Sequence, residues 1–215
     1  VRFGFISTTL LSQVDASVGG KNGVNFLAYK NMIGTFNQPE FVLCDMDVLI
    51  SLPEKEIKGG FSEIVKHACI KRETMFYYLK ENMEACHNLQ PETIERLVYD
   101  SNIIKSEIVN ADEREKGERR KLNFGHTFGH AIEKVYGISH GEAVSIGMVV
   151  AARISQKLNY LSENDINSLI SLLEALGLPV LLEDFDKANI LNAMKKDKKR
   201  EDESIHFVLL DGIGN

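Results

Sequence analysis

His126 and His130 are four residues apart, a spacing that puts two imidazoles one turn apart on one face of a helix. The same face continues through Arg119, Asn123 and Glu133, at spacings of 4, 3, 4 and 3, with Leu122, Phe128, Ile132 and Val135 opposite. A stripe of Arg, Asn, His, His and Glu differs from the Lys/Glu pattern of a merely solvated face and predicts a helix lining a wet internal site. A third histidine, His140, follows Gly137 inside Ser139-His140-Gly141-Glu142, a capping-box pattern that starts the next helix. Two helices joined by so short a loop pack as antiparallel neighbours, which brings His140 back towards His126. Imidazoles from two helices plus a carboxylate make a divalent-metal site with open positions. Glu63 is the candidate carboxylate, because it lies among Phe61, Ile64 and Val65, where a free charge is costly without a cation. The H-x3-H spacing by itself also fits histidines satisfied in a polar network; the stripe and the third histidine favour metal.

A second group of residues suits an anionic ligand. Asp15 to Asn25 reads DASVGGKNGVN, a loop whose paired glycines can turn tightly and approach an anion, with Lys21 beside them; an ordinary surface turn fits equally well. Lys66, three residues from Glu63, reads most simply as half of an exposed ion pair of small energetic value, and Lys105, in Ser101-Asn-Ile-Ile-Lys-Ser, follows the argument made for Glu63 less strongly. The charged run from Asp112 reads as a solvated loop, except Arg119, which continues the histidine stripe.

These groups need elements to position them. Residues 1–8 predict a strand followed by a short helix, Leu10 to Val14. Lys30 to Phe36 and Phe41 to Cys44 predict two strands joined like a β-hairpin through Asn37-Gln38-Pro39. From Pro53 to about residue 195 the pattern is helical, with breaks near 113–119, Gly137, Ser162 and Gly177-Leu178-Pro179. The first of these helices, Glu54 to Ile70, buries Ile57, Phe61, Ile64, Val65 and Ala68. The small, apolar helix Ala143 to Ile154 is expected at the centre. Ile205 to Leu210 predicts a last strand. The domain division falls at 1–52, a short α/β part, and 53–215, a helical part.

The chain of 215 residues is 44% hydrophobic, enough for a full core, and carries a net charge of -6, which argues against nucleic acid as a partner. It contains no apolar run of membrane-spanning length and no signal-peptide pattern at its start, so a cytoplasmic location and no membrane partner are expected. Cys44, Cys69 and Cys86 are odd in number and widely spaced, which predicts buried free thiols.

Taken together, DASVGGKNGVN (15–25), Lys30-Asn31, GGFSEIVKH (59–67), LNFGHTFGHAIE (122–133), HGEAVSIGM (140–148) and the KDKK of 196–199 resemble the 3-dehydroquinate synthase family, in the family's order. The resemblance implies a mainly α, dehydroquinate synthase-like helical domain preceded by the last part of the family's nucleotide-binding α/β domain, so that the chain matches the carboxy-terminal portion of such an enzyme. It implies a cytoplasmic, homodimeric shikimate-pathway lyase that converts 3-deoxy-D-arabino-heptulosonate 7-phosphate, a phosphorylated keto-acid sugar, into 3-dehydroquinate and phosphate. The cofactors it implies are NAD and a divalent zinc or cobalt ion. Carried over residue by residue, the metal ligands are Glu63, His126 and His140. The substrate-contacting group is Asp15, Lys21, Asn31, Lys66, Lys105, Arg119, Asn123, His130 and Lys198 or Lys199. The NAD contacts are Thr8, Thr9, Asp15, Lys21, Lys30, Val48, Leu49, Ile50 and Ser51. Other readings are a different sugar-phosphate cyclase, a metal-dependent polyol dehydrogenase, or a metal-binding fragment without activity of its own.

Overall fold

The structure, a computed structural model, describes residues 1–26, 29–198 and 205–215, with side chains outside 25–32 and 196–204. The side chains expected to act at Lys30, Asn31 and Lys198 therefore lie outside the described residues.

The short α/β part opens with β1 (Phe5–Ser7) and a π-helical turn at Ser12–Ala16. Then come β2 (Lys21–Phe26), β3 (Tyr29–Phe36), β4 (Val42–Cys44) and a 3-10 turn at Asp47–Ser51. The pairing differs from the expected hairpin. β3 pairs antiparallel with β2, Val24 facing Ile33, whereas β4 runs parallel to β1, Ser7 facing Cys44. The second half of the glycine-rich stretch is thus a strand, because Gly19 and Gly20, at φ of 107° and 69°, complete the turn before Lys21.

The helical part runs α1 (Glu54–Lys71), α2 (Glu73–Glu81), α3 (Met83–His87), α4 (Pro91–Ala111), a 3-10 turn at Glu118–Asn123 and α5 (His126–Tyr136). It ends with α6 (His140–Lys157), α7 (Glu163–Ala175) and α8 (Lys187–Lys198). Pro91 occupies the first turn of α4, Gly137 closes α5 in the left-handed region, and the predicted Ser139/Glu142 capping box opens α6. Breaks at Arg72, Asn82 and 88–90 add to the expected ones. No strand forms over 205–210; Leu210 instead donates its backbone N–H to Ser155 Oγ at 3.0 Å.

α6 is buried along most of its length and packs against α5, α1 and α7. Two glycines allow the close approach. A Cβ on Gly147 would stand 1.9 Å from the carbonyl oxygen of Gly125, ahead of α5, and one on Gly141 would stand 2.4 Å from Cα of Gly59 on α1. These contacts draw the start of α5, the start of α6 and the middle of α1 together. α1 itself is buried on every side from Gly60 to Ile70, not only along the predicted apolar face, so its polar residues Glu63, Lys66 and His67 are inside the protein. The main core joins α1, α4, α6 and α7; a smaller one gathers Ala131, Ile132, Ile146, Ile190 and Met194 with Phe128 and Phe207.

Candidate metal and anion site

Glu63 Oε1 lies 3.5 Å from His126 Nε2 and 3.5 Å from His140 Nε2. The other carboxylate oxygen, Oε2, is paired with Lys66 Nζ. The far side of each ring is fixed. His126 Nδ1 donates to the Phe124 carbonyl at 3.1 Å, and His140 Nδ1 lies 3.3 Å from Glu133 Oε2. With Nδ1 of each ring donating to these acceptors, a neutral ring turns its Nε2 lone pair to the carboxylate. Two lone pairs facing one anionic oxygen repel unless a proton or a cation stands between them.

The three atoms fit a cation. Tetrahedral bonds of about 2.1 Å would put ligand atoms about 3.4 Å apart, close to the 3.5 Å observed here. Both Glu63 oxygens are buried and lack a geometrically complete hydrogen bond, and an outer acceptor on each Nδ1 is the usual support of a metal-bound imidazole. Burial pushes His126 down to about 4, against the opposing pull of Glu63, so that ring is neutral as a ligand must be. His140 is raised, first by Glu63 facing its Nε2 and further by Glu133. Burial alone would raise the Glu63 carboxyl, but Lys66 and the histidines hold it well below the usual carboxylate range.

Lys66 is 1% exposed, in contrast to the exposed pair that a three-residue spacing allows. An ammonium so deep needs anions, and it has Glu63 and, at 3.8 Å, Asp15 Oδ1. Burial would lower Lys66, but those two carboxylates outweigh it and raise its pKa. Lys105 Nζ pairs with Asp15 Oδ1 at 2.7 Å and also donates to the Asp15 carbonyl. Burial lowers the pKa of Lys105, opposed by Asp15. The structure thus gathers Asp15, Lys66 and Lys105 next to the Glu63/His126/His140 triad.

The expected single helix from Arg119 to Glu133 is interrupted. Arg119 and Asn123 lie on the 3-10 turn, and Gly125, at φ of 77°, separates it from α5. The break follows from packing: a Cβ at Gly125 would meet the Val144 carbonyl of α6 at 2.9 Å. The anticipated apolar face is correspondingly uneven, with Ile132 buried and Val135 exposed. Arg119 is buried and donates to the carbonyls of Glu113 at 2.6 Å and Gly19 at 2.8 Å, so it ties the glycine turn to the charged loop. His130 is exposed, with its ring centroid 5.3 Å from that of His126, and it stands outside the converging triad.

Sequence reasoning missed Glu115. It takes a left-handed φ of 58°, pairs with Lys21 Nζ and accepts from Asn123 Nδ2 at 2.6 Å. Asp112 staples the same loop by accepting from the N–H groups of Lys116, Gly117 and Arg119. An Asp ahead of a Gly-containing turn was a readable signal for the staple; nothing local marked Glu115.

Of the residues expected to meet a dinucleotide, Thr8 and Thr9 follow β1, and Val48 to Ser51 follow β4. They share the carboxyl end of one parallel pair, where open α/β sheets place ligands. Thr9 Oγ1 accepts from the Ser12 N–H at 3.1 Å. The Leu49 side chain is in the core, and its backbone N–H and carbonyl are bonded to the Met46 carbonyl and the Leu52 N–H.

The 3-dehydroquinate synthase C-terminal model matches residues 60–200, and the 3-dehydroquinate synthase N-terminal model matches residues 1–59. A curated 3-dehydroquinate synthase from Acidithiobacillus ferrooxidans (strain ATCC 53993 / BNL-5-31) is 45% identical over 213 residues, covering 98% of this chain and 58% of the relative. The chain thus spans less than two thirds of that relative's length. Among solved structures, a 2-epi-5-epi-valiolone synthase from Streptomyces hygroscopicus subsp. jinggangensis 5008, with NAD+ and Zn2+ bound, superposes with a TM-score of 0.90 at 28% identity, covering 100% of this chain and 61% of that one. A 2-deoxy-scyllo-inosose synthase complexed with carbaglucose-6-phosphate, NAD+ and Co2+ gives 0.88 at 28% identity, covering 100% and 60%. Matched over both of its parts, this chain belongs to the 3-dehydroquinate synthase family.

Proposed function

We propose that the intact protein is a 3-dehydroquinate synthase, converting 3-deoxy-D-arabino-heptulosonate 7-phosphate into 3-dehydroquinate and phosphate with NAD and a divalent ion. The convergence of Glu63 Oε1 with His126 Nε2 and His140 Nε2 carries this reading. Glu63, His126 and His140 would hold zinc or cobalt, which would acidify a substrate hydroxyl, and NAD would supply the reversible removal of hydride from the carbon that bears it. Lys66 holds Glu63 so that one oxygen faces the histidines. Asp15, Lys66 and Lys105 supply a buried array of charge for the substrate's hydroxyls and anionic groups. His130, exposed beside His126, is placed to bind phosphate or exchange a proton at a ring nitrogen. Lys21 and Asn123, which share Glu115, and Arg119, bonded to the Gly19 carbonyl, are assigned to substrate binding together with Asn31 and Lys198. Most of the work is orientation of a flexible substrate, worth several kcal/mol when reacting groups are prealigned. Residues 1–52 serve the NAD side through Thr8, Thr9, Lys21, Lys30 and Val48 to Ser51, and residues 53–215 the metal and substrate side. A cytoplasmic homodimer completes the proposal; no helix among the described residues is long and apolar enough to cross a membrane.

A second reading, a cyclase of neutral sugar phosphates, is favoured by the close superposition on the two structures above. Buried cations beside the triad suit a substrate that also carries a carboxylate, and they favour the first. The intact protein is assayed with heptulosonate phosphate, glucose 6-phosphate and sedoheptulose 7-phosphate. Phosphate release from the first, without net NADH, is expected; turnover of only a neutral sugar phosphate would overturn the assignment.

A further inference from the structure

His67 follows Lys66 on α1, one turn beyond Glu63 on the same side. It is 0% exposed, and neither ring nitrogen makes a geometrically complete hydrogen bond among the described residues. A buried polar group without a partner is destabilising, and an apolar residue of similar shape would remove that penalty. Its neighbours along α1, Ile64, Val65, Ala68 and Cys69, are all buried. The acceptor it faces is Asp15 Oδ1, 3.6 Å from Nε2.

Asp15 needs such help. It sits on a five-residue helical turn, Ser12–Ala16, shortly before the glycine pair, so a short backbone element carries it. Lys105 at 2.7 Å, Lys66 at 3.8 Å and His67 at 3.6 Å all converge on the one oxygen Oδ1, while the side chain keeps 27% exposure. The two ammonium groups are flexible point charges that attract a carboxylate without fixing its plane. A rigid ring with a single directed N–H supplies the missing angle. Burial lowers the His67 pKa against the pull of Asp15, which keeps the ring neutral beside Lys66. Such bonds are commonly long without substrate and tighten when it binds.

We propose that His67 is a positioning residue whose Nε2–H fixes the orientation of Asp15, so that Oδ1 stays with Lys66 and Lys105 and Oδ2 is presented to a substrate hydroxyl. This rests on the substrate reading given above.

The test uses the intact protein with His67→Phe, which fills the space without a donor, and His67→Gln, which restores one. His67→Phe should keep its metal content and melting temperature while kcat/KM falls about 10- to 100-fold, the usual loss for an outer partner. His67→Gln should recover most of that rate. In an Asp15→Ala background His67→Phe should add no further loss. Equal activity of His67→Phe and the parent protein, or losses that multiply with Asp15→Ala, overturn the proposal. A second measurement is independent of turnover. Nitrogen-15 NMR should show His67 protonated at Nε2 with a resonance that shifts in Asp15→Asn. Protonation at Nδ1, or a resonance indifferent to Asp15, overturns the positioning role even if the substrate assignment stands; a correct tautomer in a protein inactive on heptulosonate phosphate faults the substrate assignment instead.

Discussion

At the scale of single residues, the candidate metal site depends on three atoms and their supports. Glu63, His126 and His140 converge, whereas His130 stands one turn further out on α5, so their variants should separate. His126→Ala and His140→Ala are expected to lose the ion, and His130→Ala to retain it while turnover falls; metal content of the purified variants measures this. A second expectation concerns pH. His140 is raised above its ordinary value of about 6.5. Its Nε2 must shed a proton to ligate, so metal affinity should weaken as pH falls through that raised value, with about one proton released per ion bound just below it. His126, held down at about 4, adds nothing over the same range. Calorimetric titration of the ion in buffers of different ionisation enthalpy reads the proton directly, and pH-independent affinity would contradict the assignment. Lys66 carries the largest stability consequence. Replacing it by Met leaves the buried Glu63 carboxylate without its ammonium and should destabilise by about 3–5 kcal/mol in the metal-free protein, read by denaturant unfolding.

At the scale of elements, the site is a product of close helix approach. Gly147 brings α6 against the turn into α5, and Gly141 brings it against α1. Gly147→Ala would press a methyl into the Gly125 carbonyl, and overpacking of this kind costs about 1–3 kcal/mol. Because the displaced backbone leads directly into His126, metal affinity should fall along with the melting temperature. A variant with parent-like values of both would show that the helices have slack. The α6 cap offers a milder probe. Ser139 accepts from the Glu142 N–H while Glu142 Oε2 accepts from the Ser139 N–H, and His140 is the first residue inside. Ser139→Ala should cost about 1 kcal/mol and loosen His140 more than His126, visible as a local rise in amide exchange over 140–142.

At the scale of the whole molecule, two cores of unequal size meet along α6. The smaller one holds α8 through Ile190, Ala193 and Met194 and is closed by Phe207, stacked on Phe128 at 5.2 Å. So small an apolar cluster should open without global unfolding. Amides of α8 are therefore expected to exchange ahead of those of α1, α4 and α6. Phe207→Ala, which removes a ring pair worth roughly 0.5–1.5 kcal/mol, should speed α8 selectively. Equal acceleration throughout would mean that the two cores unfold as one.

The sequence by itself determined the helical part, its caps at Gly137 and Ser139, the buried face of α1 and the family, because periodicity, caps and motif order are local properties of the chain. It also brought Glu63, His126 and His140 forward, since an acid in an apolar stretch and imidazoles at helical spacing are readable without coordinates. Other features needed the fold. β4 chose β1 rather than β3, because strand pairing is settled by what else must cover each strand. The stripe from Arg119 broke at Gly125, because α6 leaves no room there for a continuous helix. Lys66 went inside, since only an α1 enclosed on every side makes its ammonium a buried partner of Glu63 and Asp15. The contacts of Glu115 with Lys21 and of His67 with Asp15 join positions far apart in sequence, and chain closure rather than local pattern sets them.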